Sequence, residues 1–281
     1  MEDSLPSRVQ RGSRNVVAAE TFVGREEEFA TLRAAVDALA SGQGSTWLLS
    51  GEPGIGKTRF CEELRGYARE RGVEVLFARC HQGEGSPPFW PWVQAFRAFA
   101  RERTTEELRA QLGSDREDVA QLVPELREQG ARLSDSLPRD EPEARFRQFD
   151  SVASVLRRAS TAKPLMLVLD DLHWADPPSV RLLSFLTRNA SDAPLLLVGT
   201  LRDVGVVLDP ALASALAELE PQSETLALGG LSAGEVSRFV ESATREVPPT
   251  TLVGRLHTET GGNPLFLGEF VKLLASQGGF E

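Results

Sequence analysis

The stretch Leu48 to Phe60, LLSGEPGIGKTRF, separates Gly51 from Gly56 by four residues and follows with Lys57 and Thr58. Lysine is scarce in this chain. Lys57, Lys163 and Lys272 stand among 31 Lys and Arg residues, so arginine is the default cation and a lysine at 57 needs a reason. A compact ammonium on a slim stem reaches oxygens inside a tight backbone loop that a planar guanidinium would crowd. The spacing fits a phosphate-binding loop. Its glycines turn backbone N–H groups inward, Lys57 reaches the β/γ-phosphates of a nucleotide, and the Thr58 hydroxyl ligates Mg²⁺. A helix opening near Lys57 adds its positive end to the same anion site. The expected nucleotide-binding set here is Gly51, Pro53, Gly54, Ile55, Gly56, Lys57, Thr58 and Arg59.

Such a loop needs a carboxylate for the metal at the end of a nearby strand, and PLMLVLDD offers two acids. Asp170 is expected to hold Mg²⁺ through water, since Mg²⁺ keeps several waters in octahedral geometry. Asp171 is expected to orient the attacking water or accept its proton. The run LLLVGTLRD ends on Thr200 and Arg202. If its strand lies beside the loop's strand, Arg202 stabilises developing charge or reports the γ-phosphate; the plainer reading pairs it on the surface with Asp203. His81, His173 and His257 have no partner at metal-ligand spacing, and Trp174 reads as packing. The PPFWPW segment reads either as an exposed recognition loop or as a loop folded back on the core.

The elements that must place these residues follow from periodicity. STWLLS, VEVLFARC, PLMLVLDD, APLLLVGTLRD and ETLALGG read as strands and alternate with amphipathic helices. Alternation of this kind predicts an α/β fold, a P-loop NTPase with a five-stranded parallel sheet covered by helices on both faces. Phe29, Leu32, Val36 and Leu39 share one face of a helix, as do Phe146, Phe149, Val152 and Leu156. Residues 1–20 read as disordered, 21–228 as the ATPase core with a helical insertion at about 81–142, and 229–281 as a small helical domain. Breaks are expected near Pro124 and Pro138. Asp176 before Pro177 and Ser232 with Glu235 read as helix starts. Arg145, Arg147, Arg157 and Arg158 read as a solvated helix face.

A formal charge of −10 and a pI near 5.0 argue against a broad nucleic-acid or membrane surface. No apolar run approaches the ~20 residues of a membrane span, and the acidic N-terminus lacks a signal-peptide core. Cys61 and Cys80 fall in core elements without metal-ligand spacing. A cytoplasmic protein is the natural reading.

The ordered motifs TFVGREEE, GEPGIGKTR, LVLDDLHWAD, LLLVGTLRD and GGNPLF resemble the AAA+-related ATPase modules of STAND proteins, the signal-transduction ATPases with numerous domains. The similarity runs from about residue 21 to the C-terminus and is greatest to bacterial LuxR-type large regulators and nucleotide cyclase-associated ATPases. It implies that Val23, Gly24 and Arg25 line the adenine and ribose side, that Arg202 is a sensor, and that Pro264 packs against adenine. It also implies an ATP/ADP switch with slow hydrolysis, passing between closed and assembly-competent states, hence nucleotide-dependent self-assembly. The winged-helix domain, repeat array and helix-turn-helix effector of such proteins are not in this sequence, so it reads as part of a larger protein whose sensor or effector domains lie downstream. A rapidly turning-over motor or phosphotransferase is the alternative, with residues 81–142 the one candidate for a second substrate pocket.

Overall fold

The computed structural model describes residues 22–81, 87–127, 142–203 and 207–276. The expected disordered segment at 1–20 and the break at Pro138 lie outside them. Contacts divide the described residues into two units: Arg25–Leu228, and a smaller one of residues 229–276 together with 22–24. The chain therefore passes between units at Gly24–Arg25 and again at Leu228–Gly229. Residues 22–24 go with the helical unit, in contrast to the expectation that they open the core.

The larger unit runs α1 (Glu26–Ala38), β1 (Ser45–Ser50), α2 (Lys57–Glu70), β2 (Glu74–Arg79), α3 (Trp90–Arg101), α4 (Thr105–Leu112) and α5 (Arg116–Leu122). It continues through α6 (Pro142–Ala162), β3 (Leu165–Asp170), α7 (Pro177–Asn189), β4 (Leu195–Thr200), α8 (Pro210–Leu219) and β5 (Glu224–Ala227). The five strands pair in parallel in the order β2-β3-β4-β1-β5. Every residue of β3 and β4 is buried, as continuous apolar runs require in a sheet covered on both faces. Strand β4 lies between β1 and β3, so the carboxyl ends of the loop strand and the acid strand both border it.

The insertion covers the β2 edge, where unpaired backbone groups would otherwise be open to pairing. Helix α3 buries Trp92, Phe96 and Phe99 in the main core, and the Trp92 indole N–H donates to the Ser179 carbonyl at 3.1 Å. PPFWPW is therefore folded back on the core. At one end of β2, Arg103 makes a two-pronged ion pair with Glu74 at 2.7 Å on each prong; both side chains are buried. At the other end, the Gln94 carboxamide donates to the Arg79 carbonyl at 2.9 Å. Arg158 remains partly exposed but does more than face solvent. Its guanidinium donates to the Gln111 and Leu112 carbonyls and to Asp115, tying α6 to the insertion. Phe146 also departs from the expected buried face: it is 61% exposed, with an edge-to-face contact to Phe185.

The smaller unit comprises α9 (Ala233–Thr244), α10 (Thr250–Thr260) and α11 (Pro264–Ser276) around Leu231, Val236, Val240, Leu256 and Leu267. Helix α9 opens with the capping box expected at Ser232 and Glu235. No described helix is long and apolar enough to cross a membrane.

The turn before α11 is where a glycine is required. Gly262 has φ +73°, and a β-carbon there would lie 2.1 Å from the Leu231 carbonyl oxygen. The Leu231 N–H donates back to the Gly262 carbonyl at 2.8 Å, so neither backbone can retreat without losing that bond. Gly262→Ala should destabilise the helical unit by about 2 kcal/mol or more. Urea denaturation followed by helix signal is the check; an unchanged midpoint would contradict the close approach.

Candidate functional site

The loop after β1 leads into α2 through Gly56, whose φ of +99° makes it a left-handed N-cap. Helices α4, α7, α8 and α9 begin with side-chain caps. Helix α2 has no side-chain cap and no acid in its first turn, leaving its dipole uncompensated at the loop, as an anion site requires. Lys57 opens that helix nearly buried. Its ammonium donates to the Gly51 and Glu52 carbonyls at 2.7 and 2.9 Å, spanning the loop. Burial holds its pKa below the usual lysine value, with the Asp171 and Asp203 carboxylates opposing. Arg25 is buried and donates to the Ile55 carbonyl at 2.6 Å, bracing the loop from α1. Arg59 pairs with Glu62 and Glu63 along the exposed face of α2.

Opposite the loop, the carboxyl ends of β2, β3 and β4 present a polar row. Asp170 is completely buried. Its Oδ1 accepts from the Thr200 hydroxyl at 2.7 Å, and its Oδ2 accepts from the Thr58 hydroxyl at 2.9 Å. The two residues expected to serve magnesium, one from α2 and one from β3, are thus joined directly. Oδ2 also accepts from Nε of Arg79 at 3.1 Å, and Nη2 of the same guanidinium stands 3.1 Å away as an ion pair. Arg79 is the residue that sequence reading missed. It is the in-register partner of Asp170 across the β2–β3 pair, so aligning the ends of the two strand runs would have found it.

Asp171 follows in the left-handed region at φ +62°, a conformation that costs a non-glycine residue of order 1–2 kcal/mol. Its backbone N–H donates to the Thr200 hydroxyl at 2.7 Å. One threonine therefore holds both acids, giving its proton to Asp170 and accepting one from the Asp171 amide. Burial, then the neighbouring Asp170 charge, raises the Asp171 pKa, while Arg202, Arg79 and Lys57 oppose. A carboxylate raised in this way is a better proton acceptor. The donor set fits a hard dication: one buried carboxylate and one hydroxyl joined directly, both oxygen donors of the kind magnesium takes. Among the described residues no group of three or more His, Cys, Asp or Glu is placed to hold a metal ion by itself, and magnesium held mainly by phosphates and water requires none.

The Arg202 guanidinium stands 5.8 Å from the centre of the Trp174 ring, a cation–π contact. Trp174 packs in turn on His173, with ring centres 5.0 Å apart. His173, set aside in the sequence, lies beside the site: its Nε2 is 3.7 Å from Asp171 Oδ1, too far for a hydrogen bond. Val23, Gly24 and Pro264 belong to the helical unit, where Pro264 opens α11.

His173 is buried with neither ring nitrogen hydrogen-bonded among the described residues. Burial first, then Arg202 and Lys57, lower its pKa to about 4, with Asp170 opposing. The folded state holds this imidazole neutral while the unfolded chain protonates near 6.5. Its contribution to stability is therefore intact above pH 6.5 and is lost as pH falls toward about 4, at up to about 1.4 kcal/mol per pH unit. His173→Phe should lose less stability than the native chain between about pH 7 and about pH 5, measured by urea denaturation at each pH. Parallel losses would show that the ring protonates freely in the fold.

The model of the AAA ATPase domain family matches residues 21–198. An uncharacterized protein of Rhizobium meliloti (strain 1021) is 26% identical over 225 residues, which is 71% of this chain and 21% of that protein. Among solved structures, Cdc6p of Pyrobaculum aerophilum has a TM-score of 0.56 at 14% identity, over 94% of this chain and 64% of that one. A STAND protein with a tetratricopeptide repeat sensor from Pyrococcus horikoshii has a TM-score of 0.52 at 16% identity, over 92% of this chain and 32% of that one. At such identities the likeness is one of fold. The chain spans about a fifth of the length of the curated relative it matches. A family match over residues 21–198, well over half of the chain, shows that it belongs to the AAA ATPase domain family and is a P-loop, nucleotide-binding ATPase module.

Proposed function

We propose that this module is an ATP/ADP-operated switch with slow, Mg²⁺-dependent hydrolysis, working inside a larger regulatory protein. The observation that carries the reading is the chain Thr58–Asp170–Thr200–Asp171, in which two hydroxyls lock both acids in place. In this reading the glycine loop and the start of α2 bind phosphates, with Lys57 moving from loop carbonyls to the β/γ-phosphates. Thr58 and Asp170 hold Mg²⁺, which neutralises phosphate charge when bound. Asp171 orients the attacking water and takes its proton on a carboxylate oxygen. Arg202 leaves Trp174 for the γ-phosphate and so distinguishes ATP from ADP.

The switch, the slow turnover, self-assembly and the covering of adenine by Pro264 with Val23 and Gly24 rest on the family resemblance. Two crossings of the chain between the units support the first of these: a ligand that favours one arrangement of the units shifts their populations. The alternative, a phosphotransferase, needs a second pocket in the insertion. Its described part is instead built as a cover, with Trp92, Phe96 and Phe99 committed to the core.

Lys57→Ala should weaken ATP and ADP binding by about tenfold to hundredfold, the loss of one or two charge-assisted hydrogen bonds. Calorimetric titration measures it. The same variant should lose any nucleotide-dependent change in the distance between labels on the two units; a native chain whose label distance ignores nucleotide would overturn the switch.

Asp171→Asn should bind MgATP as the native chain does but turn over at least about a hundredfold more slowly. Asp170→Asn should instead blunt the magnesium dependence of binding. Identical behaviour of the two variants would overturn the division of roles.

A further inference from the structure

We propose that Arg79 is an internal counter-ion that competes with magnesium for Asp170, and that helix α3 of the insertion sets its position. This rests on the reading of Asp170 as the metal carboxylate. A buried ionised carboxylate needs an opposite charge, and Arg79 supplies it with two nitrogens on Oδ2. That oxygen is also the one joined to Thr58, while Oδ1 is committed to Thr200. A magnesium ion beside Thr58 reaches Asp170 only through Oδ2, directly or through a bound water. It would meet a guanidinium already filling the acceptor positions and repelling it by like charge.

The two ends of Arg79 differ in freedom. Its backbone is held in the β2–β3 ladder through its pairing with Asp170, and the Gln94 amide donates to its carbonyl from α3. Its side chain is 46% exposed, so the guanidinium can swing into water without unpacking the core. The arrangement is a movable charge on a fixed base. Binding of the metal releases the arm, and any displacement of α3 moves the base. The insertion thereby gains a route to the magnesium site without touching the nucleotide.

The experiment measures, by calorimetry, the magnesium concentration that gives half of the full enhancement of ADP binding, and ADP affinity in EDTA. Arg79→Ala should lower the magnesium midpoint by about tenfold, the equivalent of one charge-assisted hydrogen bond, and leave affinity in EDTA within about twofold. Its nucleotide-free melting temperature should fall, because Asp170 loses its counter-charge, and Mg·ADP should raise that temperature by more than it does in the native chain. Arg79→Gln, which keeps one donor for Asp170, should shift the midpoint in the same direction by less and serves if the alanine variant does not fold. An unchanged midpoint in variants that still bind ADP overturns the proposal alone. Equal loss of affinity with and without magnesium overturns it in favour of a direct phosphate contact. A native chain that binds no nucleotide removes the switch reading and this proposal together.

Discussion

An ionised carboxylate without solvent costs several kcal/mol unless its lone pairs are engaged and its charge is answered, and the architecture around Asp170 meets that demand from three elements. Strand β4 contributes the Thr200 hydroxyl, α2 the Thr58 hydroxyl, and β2 the Arg79 guanidinium. The backbone of β3 extends the join to the edge strand, where the Cys80 N–H donates to the Asp170 carbonyl at 2.8 Å. Each partner sits where it does because parallel strands end at a common level and α2 begins above them. Removing any one leaves a buried charge short of a partner, so the sheet order and the start of α2 are coupled through a single side chain.

The neighbouring Asp171 answers to a different constraint. Its left-handed backbone turns the chain sharply out of β3, and the Thr200 hydroxyl fixes that turn through the amide. The turn separates the environments of two adjacent acids. One is sealed among donors, while the other is only partly buried and meets Lys57, Arg79 and Arg202 through space. Two carboxylates one residue apart thus sit in different surroundings, Asp170 completely buried and Asp171 partly exposed. The Trp174 ring, within cation–π reach of Arg202, helps to hold that guanidinium near the site.

The insertion is a structural answer to the exposed edge of β2. A buried ion pair at Glu74 and a carboxamide at Arg79 fasten it at both ends of that strand. Asp176 links it to the far side of the site, since one carboxylate caps α7 through the Ser179 N–H and accepts from the Phe89 N–H. Phe89 and Asp176 are far apart in sequence. Their bond joins the start of α3 to the start of α7.

Much of this protein was legible before any coordinates. The glycine spacing with Lys57 and Thr58 specifies a phosphate loop because few backbones accept that pattern, and five apolar runs alternating with amphipathic helices specify a parallel sheet. Capping at Asp176 and Ser232 was local chemistry and was readable as such. Contacts across strands were decided by the fold. Register placed Arg79 on Asp170, and aromatic packing drew Trp92 of PPFWPW into the core. Arg158, by sequence one more solvated arginine, became a clasp because its partners lie more than forty residues away. Sequence periodicity reports which face of an element is apolar, whereas a charge's partner depends on which strand ends at its level. The sequence alone determined the chemistry of the loop and the class of the fold; the tertiary structure decided which cation answers the buried acid.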